Sequence, residues 1–386
     1  MPSNLPVYLD YQSTTPVDDR VLAAMMPYFT ERFGNAASKG HAFGWTADAA
    51  TEFAREQVAG LVTGRTNEIV FTSGATEANN LAILGSVGYR VEGAHIVTVA
   101  SEHKAVLDPC KFLEEKGARV TTLTPDSDGF VTADQVVNSM EEKTVLVSVM
   151  HGNNEIGTIQ PVAEIGHAIK RKNASCLFHS DVAQTAGKLP IDVDEWKADL
   201  LSLSGHKIYG PKGVGALWVR RRPRIKLTPL VYGGGHEMGM RSGTLPVPLL
   251  VGFGKAAEIC KEGRDQEGKR LTSLRDLLWK KLAEHDGIVV NGSLEKRLPG
   301  NLNISVDGVF GEALLLAVAP VIAVSSGAAC TSSTSGPSHV LRAIGRSKDA
   351  ASASLRIGLG RGTTEADVLL AAKTITETVL RLRSPG

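Results

Sequence analysis

This sequence has no large excess of charge of either sign and no long apolar run. Lysine and arginine together number 42, and aspartate and glutamate together number 41. Nucleic acids and anionic membranes attract proteins through a strong positive field, so we expect neither as a partner. The longest apolar run, residues 313–324, is too short to span a bilayer and contains Pro320. The first residues, MPSNLPVYLD, lack the basic and apolar regions of a secretory signal, which predicts a cytoplasmic location.

Cysteine is scarce as well, and its spacing is not that of a disulfide framework or a zinc site. The four cysteines are Cys110, Cys176, Cys260 and Cys330, and no two of them form a CxxC motif. We therefore expect reduced thiols. No HExxH motif or tight cluster of histidine and cysteine occurs, so we predict no bound metal.

Short β-branched runs alternate with amphipathic stretches between residues 68 and 219. The strand candidates are EIVFT, HIVTVAS, RVTTLT, TVLVSVM, SCLFHSD, LLSLS and GALWV. Residues 104–116 and 161–172 have the pattern of amphipathic helices between such strands. The alternation predicts an α/β fold with a mostly parallel sheet flanked by helices.

The length of the chain, 386 residues, exceeds the size at which a single hydrophobic core usually stops growing, so we expect two domains. A helical stretch at about residues 246–285 leads into a region with a different pattern of strands and helices, in which strand candidates lie near Ile288, Asn301 and Ser354. We place the boundary within this stretch. The prediction is a large ligand-binding domain at residues 15–260 and a small α+β domain formed by residues 1–14 and 261–386.

Polar clusters follow several of the predicted strands. They are TSGATE, SEHK, HGNNE, SDVAQ and SGHK. Open α/β sheets bind ligands beyond the carboxyl ends of their strands, so we expect the chemistry of this protein along that edge.

Lys207 follows the strand candidate LLSLS on a turn bounded by glycines. A lysine placed there is suited to forming an imine with a carbonyl cofactor once its surroundings lower its pKa, because only the neutral amine is a nucleophile. Pyridoxal phosphate is the obvious carbonyl cofactor. A plain solvated loop lysine is the alternative, so the hypothesis depends on the rest of a pyridoxal site.

The run FTSGATEANN supplies a candidate phosphate site. It follows the strand EIVF and opens a helix whose first turn offers unpaired backbone N–H groups together with the hydroxyl of Thr76. An ordinary serine or threonine helix cap is the alternative interpretation.

Asp181 ends an otherwise apolar strand, where an unpaired carboxylate is costly, so a cationic partner is implied. A protonated pyridine nitrogen is such a partner, and it makes the cofactor a strong electron sink. Pairing with a structural arginine, or capping of a helix, is the alternative.

His103 and Asn154 end two further strands, where an imidazole can stack on the ring and exchange protons and an amide can hold the ring's phenolic oxygen. Either residue is more often an ordinary polar group.

Cys330 lies in VSSGAACTSSTSGPSHV, a run of small polar residues that predicts a mobile, accessible loop and a reactive thiol. The other three cysteines are predicted to be small buried residues.

Arg356 lies in a strand candidate, where its guanidinium can clamp a substrate carboxylate or form a structural ion pair.

Assembled, these residues resemble the cysteine desulfurases of the NifS/IscS type, which are class-V aminotransferase-like pyridoxal phosphate enzymes of fold type I. The resemblance covers nearly the whole chain through the motifs YLDYQSTTP, FGNAAS, FTSGATEANNLAI, NNEIG, SGHKIYGPKG, GGGHEMGMRSGTLP, SSGAACTSS and LGRGTT.

The resemblance implies a role for each site residue. Lys207 carries the cofactor, His103 stacks on its ring, Asp181 pairs with the pyridine nitrogen, and Asn154 and Gln184 serve its polar edge. The implied phosphate contacts are Ala75, Thr76, Ser204 and His206, with Thr244 reaching across from the second subunit of a homodimer. Arg356 and Asn154 contact the substrate, L-cysteine, and Arg356 holds its carboxylate.

The implied reaction converts L-cysteine to L-alanine and leaves a persulfide on Cys330. The persulfide sulfur then passes to an acceptor such as an iron–sulfur scaffold protein. Relatives carry an additional carboxyl-terminal tail that docks this scaffold, whereas this chain ends soon after its last predicted helix, so the acceptor stays open. A selenocysteine lyase or aminotransferase on the same fold, and a noncatalytic pyridoxal-fold binding module, are the alternatives.

Overall fold

A computed structural model describes residues 5–326 and 336–384. The strands are β1 Val7–Tyr8, β2 Ile69–Thr72, β3 His95–Val99, β4 Arg119–Leu123, β5 Thr144–Ser148, β6 Leu177–Asp181, β7 Leu200–Ser204, β8 Gly215–Val219, β9 Ile288–Val290, β10 Asn301–Val306, β11 Ile322–Ala323 and β12 Ser354–Gly358. The α-helices are α1 Asp19–Met25, α2 Pro27–Thr30, α3 Ala42–Gly60, α4 Ala75–Val87, α5 Lys104–Glu115, α6 Ala133–Ser139, α7 Val162–Lys172, α8 Val247–Leu282, α9 Gly311–Val318, α10 His339–Ala343, α11 Lys348–Ser352 and α12 Glu365–Arg383.

The large sheet has seven strands in the order β2-β8-β7-β6-β5-β3-β4. Strand β8 runs antiparallel to both of its neighbours, and the other pairs are parallel. Each of the seven strand candidates is a strand of this sheet, and both predicted helices form, as α5 and α7. The predicted α/β fold with a mostly parallel sheet is confirmed.

Both faces of the large sheet are buried, which explains why its strands are apolar runs rather than alternating ones. Side chains along a strand point to opposite faces in turn. Ile69 and Phe71 accordingly join a core that includes Phe253 of α8, whereas Val70 joins a second core that includes Leu81 of α4. The sheet is thus a rigid platform covered by helices on both sides.

A third core lies around the antiparallel sheet of β9, β10 and β12. Leu302 and Ile304 of β10 pack there with Leu278 of α8 and Ile375 of α12. Leu9, from the amino-terminal segment, belongs to the same core. This grouping agrees with the predicted small domain, whose boundaries stay a prediction.

Helix α8 passes from one core to the other. Leu250, Phe253 and Cys260 pack against the large sheet, whereas Leu271 and Leu278 belong to the core of the small sheet. The change falls between residues 260 and 271, within the helical stretch where we placed the boundary.

Among the described helices, none combines the length and the apolar character that crossing a membrane requires. The cytoplasmic location stays a prediction.

Candidate active site

A pocket of about 640 Å³ opens at the carboxyl ends of the parallel strands. Its size is typical of a cofactor site. Nine of the predicted site residues line it, namely Ala75, Thr76, His103, Asn154, Asp181, Gln184, Ser204, His206 and Lys207. Two predicted residues, Thr244 and Arg356, do not line it, and Cys330 lies outside the described residues.

Lys207 ends a short 3₁₀ helix, Gly205–Lys207, that directly follows β7. A Cβ atom on Gly205 would lie 2.9 Å from Val214 and 3.0 Å from the carbonyl oxygen of Pro211, so the turn requires glycine. The Lys207 amine donates hydrogen bonds to the carbonyl oxygens of Gln12, at 2.5 Å, and Ser13, at 2.6 Å. The amino-terminal segment therefore holds this amine in the pocket.

Asp181 is the last residue of β6, and it is buried. Its Oδ2 accepts a hydrogen bond from the Asn79 amide at 2.7 Å, and its Oδ1 accepts one from the backbone N–H of Ala183 at 2.9 Å. Within residues 5–326 and 336–384, no lysine or arginine forms an ion pair with it. The structural arginine of the alternative interpretation is thus not seen there, and the carboxylate faces the pocket.

His103 precedes α5 and caps it, because its Nδ1 accepts a hydrogen bond from the backbone N–H of Ala105 at 3.1 Å. Burial lowers the pKa of His103, the positive charge of Lys207 lowers it further, and the negative charge of Asp181 opposes both. At neutral pH the ring is therefore uncharged. The contact assigns the neutral ring's proton to Nε2, because Nδ1 is the acceptor.

Helix α4 begins at Ala75 and points its amino terminus into the pocket. Gly74 is the N-cap residue, with φ at 155°, and no side chain caps the helix. The first-turn N–H groups have no partner within the helix, so they are donors for an anion. The alternative of an ordinary serine or threonine cap is wrong, because the cap residue is glycine.

Ser204 directly precedes the short helix that ends at Lys207, and His206 lies within it. The Nδ1 of His206 lies 3.0 Å from the Thr14 hydroxyl. Burial lowers the pKa of His206 to about 4, and the charges of Lys207 and Lys212 act in the same direction. A neutral imidazole is therefore present at physiological pH.

The pocket residues that sequence reasoning did not assign to the site include Gln12, Ser13, Thr14 and Asn79. The first three lie in the motif YLDYQSTTP, which was recognised as a family motif without a role for these residues. Asn79 lies one helical turn after Thr76, so its amide lies on the same side of α4 as Thr76. This spacing could have identified Asn79 as a site residue from the sequence.

Arg356 lies in β12, as predicted, and is almost fully buried behind the pocket wall. Its guanidinium forms an ion pair with Asp10 at 2.8 Å and donates to the Ser13 hydroxyl at 2.5 Å and to the carbonyl oxygen of Asn154 at 3.2 Å. Ser13 and Asn154 line the pocket. The structural ion pair is therefore present, and contact of Arg356 with a substrate stays a prediction.

Thr244 is exposed and follows a loop anchored by a buried ion pair. Arg55 of α3 contacts the Glu237 carboxylate through both terminal nitrogens, at 2.7 and 2.8 Å. The backbone N–H of Phe71, in β2, donates to the same carboxylate at 2.6 Å. The loop before Thr244 is thus fixed against the sheet edge, while the homodimer stays a prediction.

Cys110, Cys176 and Cys260 are buried, as predicted. In the part of the chain that the structure describes, no three histidine, cysteine, aspartate or glutamate side chains are grouped so that they could hold a metal ion.

The aminotransferase class-V family model matches residues 7–370. The chain belongs to this family. It is 54% identical over 381 residues to the cysteine desulfurase IscS of Anaeromyxobacter dehalogenans (strain 2CP-C), covering 98% of this chain and 94% of the relative. It is 51% identical over 382 residues to the cysteine desulfurase IscS of Pasteurella multocida (strain Pm70), with coverage of 98% and 94%.

Two solved structures are similar to this fold. A NifS-like protein superposes with a TM-score of 0.91 at 37% identity, covering 98% of this chain and all of that one. A structure of SspA in complex with cysteine has a TM-score of 0.82 at 38% identity, covering 92% of this chain and 98% of that one. The predicted resemblance to cysteine desulfurases of the NifS/IscS type is thereby confirmed, and so is the fold type I architecture.

Proposed function

We propose that this protein is a pyridoxal phosphate-dependent cysteine desulfurase that converts L-cysteine to L-alanine. The observation that carries the proposal is the meeting of Lys207, Asp181, His103 and the uncapped start of α4 in one pocket. The chain that builds this pocket is about half identical to cysteine desulfurases over nearly its full length, and one similar solved protein binds cysteine.

The residues of the pocket fit pyridoxal phosphate. Lys207 supplies the amine that holds the aldehyde, and the buried carboxylate of Asp181 suits the protonated pyridine nitrogen. The amino terminus of α4, Ser204 and His206 suit the phosphate. When bound, the cofactor supplies an electron sink for negative charge at the substrate's α-carbon.

His103 is suited to moving a proton beside the cofactor ring. Its pKa lies below the ordinary value, so the ring is neutral and able to accept a proton without first losing one. Its Nδ1 is held by the backbone of α5, which fixes the plane of the ring. Asn154 and Gln184 lie on the polar wall of the pocket, where they suit the cofactor's oxygen and, for Asn154, the substrate.

Arg356 is the group that suits the substrate carboxylate. It already donates to Ser13 and to the backbone of Asn154, both at the pocket wall. A guanidinium fixed by such contacts loses little further freedom when it takes up a second carboxylate.

Cys330 takes the sulfur. Its thiolate attacks the sulfur of the bound substrate, and the new S–S bond forms as the substrate's C–S bond breaks. The electron pair of the broken bond stays with the three-carbon fragment, which takes up a proton and leaves as L-alanine. The persulfide sulfur then passes to the thiol of an acceptor protein, such as an iron–sulfur scaffold.

A homodimer is the expected assembly. Thr244 is exposed and does not line the pocket of its own chain, which suits a contact with the phosphate in a second subunit. Exposed aromatic side chains at Phe29, Phe33 and Trp45 offer apolar area for such an interface.

The proposal is tested by Cys330→Ala, with Cys176→Ala as the matched control for loss of a thiol. We expect Cys330→Ala to keep the cofactor bound but to form neither L-alanine nor a persulfide, and the control to form both. Mass spectrometry after incubation with L-cysteine locates the added sulfur, and borohydride trapping followed by peptide mapping locates the cofactor on Lys207. Undiminished desulfuration by Cys330→Ala contradicts the proposal, and absence of an added sulfur on Cys330 after incubation of the wild type with L-cysteine favours a selenocysteine lyase or aminotransferase.

A further inference from the structure

We infer that Glu155 is a positioning residue for sulfur transfer: its carboxylate ties the loop of Asn154 to Ser338, the residue that caps helix α10. This inference rests on the proposed function. Ser338 lies eight positions after Cys330 in the sequence, and Cys330 itself lies outside the described residues.

The backbone of Glu155 is held on two sides. Its N–H donates to the Asn153 side-chain oxygen at 2.8 Å. Its carbonyl oxygen accepts hydrogen bonds from the side chains of Asn301, at 3.1 Å, and Asn303, at 3.2 Å, which both belong to β10. The Glu155 carboxylate therefore starts from a fixed point, next to a residue that lines the pocket.

The Glu155 carboxylate is buried, and its partner is Ser338. The Ser338 hydroxyl donates to Oε2 of Glu155 and accepts a hydrogen bond from the backbone N–H of Leu341 at 3.1 Å. A hydroxyl donates a single hydrogen bond. The Ser338 hydroxyl donates it to Glu155, while its oxygen accepts the hydrogen bond that caps α10. Both side chains are nearly inaccessible to solvent, with 5% exposed at Glu155 and 4% at Ser338.

A second contact fixes the same end of α10 to another loop of the site. The Nε2 of His339 lies 2.9 Å from the carbonyl oxygen of Glu102, and Glu102 directly precedes His103. The start of α10 is thus attached to the two strand-end loops that carry Asn154 and His103. Loss of the Glu155 contact leaves one of these two attachments.

Ser338 and Arg356 both favour the ionised, hydrogen-bond-accepting form of the Glu155 carboxylate, whereas burial opposes it. Burial raises the pKa of Glu155 to about 7, while the hydrogen bond from Ser338 and the positive charge of Arg356 oppose the rise. Arg356 in turn donates to the backbone of Asn154. The same carboxylate therefore interacts electrostatically with the expected substrate-binding arginine and accepts a hydrogen bond from Ser338, the cap of α10.

The test uses the full-length holoenzyme and separates two steps. Mixing with L-cysteine and following the cofactor absorbance reports substrate binding, and rapid quenching followed by mass spectrometry reports persulfide formation on Cys330. We expect Ser338→Ala and Glu155→Ala to bind cysteine within about twofold of wild type but to form the persulfide about tenfold more slowly. Glu155→Gln, which keeps an acceptor oxygen, is expected to restore part of the rate.

Ser347→Ala is the matched control. Ser347 caps the equally short helix α11 through a 3.1 Å hydrogen bond from Ala350 and lies at the surface. This control is expected to keep the wild-type persulfide rate. The inference is overturned if Ser338→Ala and Glu155→Ala form the persulfide at the wild-type rate, or if Ser347→Ala slows it equally. Failure of the wild-type enzyme itself to form a persulfide on Cys330 would overturn the proposed function as well, which distinguishes the two.

Discussion

Replacing Asp181 by asparagine removes one charge from the pocket and puts an NH2 group in place of the oxygen that accepts the hydrogen bond from the Asn79 amide. Asparagine keeps the shape of the side chain and can still accept the backbone N–H of Ala183, which lies 2.9 Å from Oδ1. What it loses is the negative charge opposite the expected pyridine nitrogen. The variant therefore tests whether that charge holds the cofactor.

The size of the effect follows from the burial of Asp181. A hydrogen bond to a charged group is worth about 1.5–3 kcal/mol, against about 0.5–1.5 kcal/mol for a neutral one. The difference, about 1–2 kcal/mol, corresponds to a roughly 5–30-fold weaker affinity for pyridoxal phosphate. Turnover is expected to fall by about 10²-fold or more, because the charge also stabilises the developing negative charge at the substrate through the ring.

The assay is titration of cofactor-depleted protein with pyridoxal phosphate, followed by the rate of L-alanine formation at saturating cofactor. Asp199→Asn is the matched control, because Asp199 is a buried carboxylate that precedes β7 at the opposite edge of the sheet, where it accepts from Lys170 at 2.5 Å. This control is expected to lower stability but to bind the cofactor as wild type does. If Asp181→Asn keeps both affinity and turnover within about twofold of wild type, the assigned role of Asp181 is wrong.

Two further predictions concern the substrate and the response to pH. Arg356→Lys keeps the positive charge but not the planar guanidinium, so KM for L-cysteine is expected to rise about 10–100-fold with cofactor affinity unchanged. Steady-state kinetics measures KM, and cofactor titration measures the affinity. An unchanged KM would show that Arg356 serves only its ion pair with Asp10. Burial lowers the pKa of His179 from 6.5 to about 3, so the folded state resists its protonation. The neutral ring makes its full contribution to the free energy of unfolding above pH 6.5, and this contribution is lost as the pH falls from 6.5 towards 3. At pH 5 the loss amounts to about 2 kcal/mol. Urea unfolding at pH 7.5 and pH 5 measures the loss, and His179→Asn should make it smaller; an equal loss in this variant would assign the pH dependence to other groups.

Much of the candidate site was predictable because strand ends in a parallel sheet meet at one edge. Lys207, Asp181 and His103 were each predicted from a polar residue that follows an apolar strand, and all three line the pocket. The strands themselves were predictable because both faces of the sheet are buried, which leaves continuous apolar runs in the sequence.

Contacts between distant parts of the chain were not predictable in this way. Gln12 and Ser13 reach Lys207 across almost 200 positions of sequence, at separations of 195 and 194. Asn79 reaches Asp181 across 102 positions. Such pairings depend on how the helices cross over the sheet and on how the amino-terminal segment returns to it, and no local pattern records either.

The sequence by itself determined the order of strands and helices along the chain and the kinds of side chain at each strand end, because apolar periodicity and the chemistry of lysine, aspartate and cysteine are local properties. The tertiary structure alone decided which of these groups share a pocket and which lie behind its wall. Arg356 illustrates the difference: its strand was evident from the sequence, but its place beside Asp10, Ser13 and Asn154 follows from packing the small sheet against the amino-terminal segment.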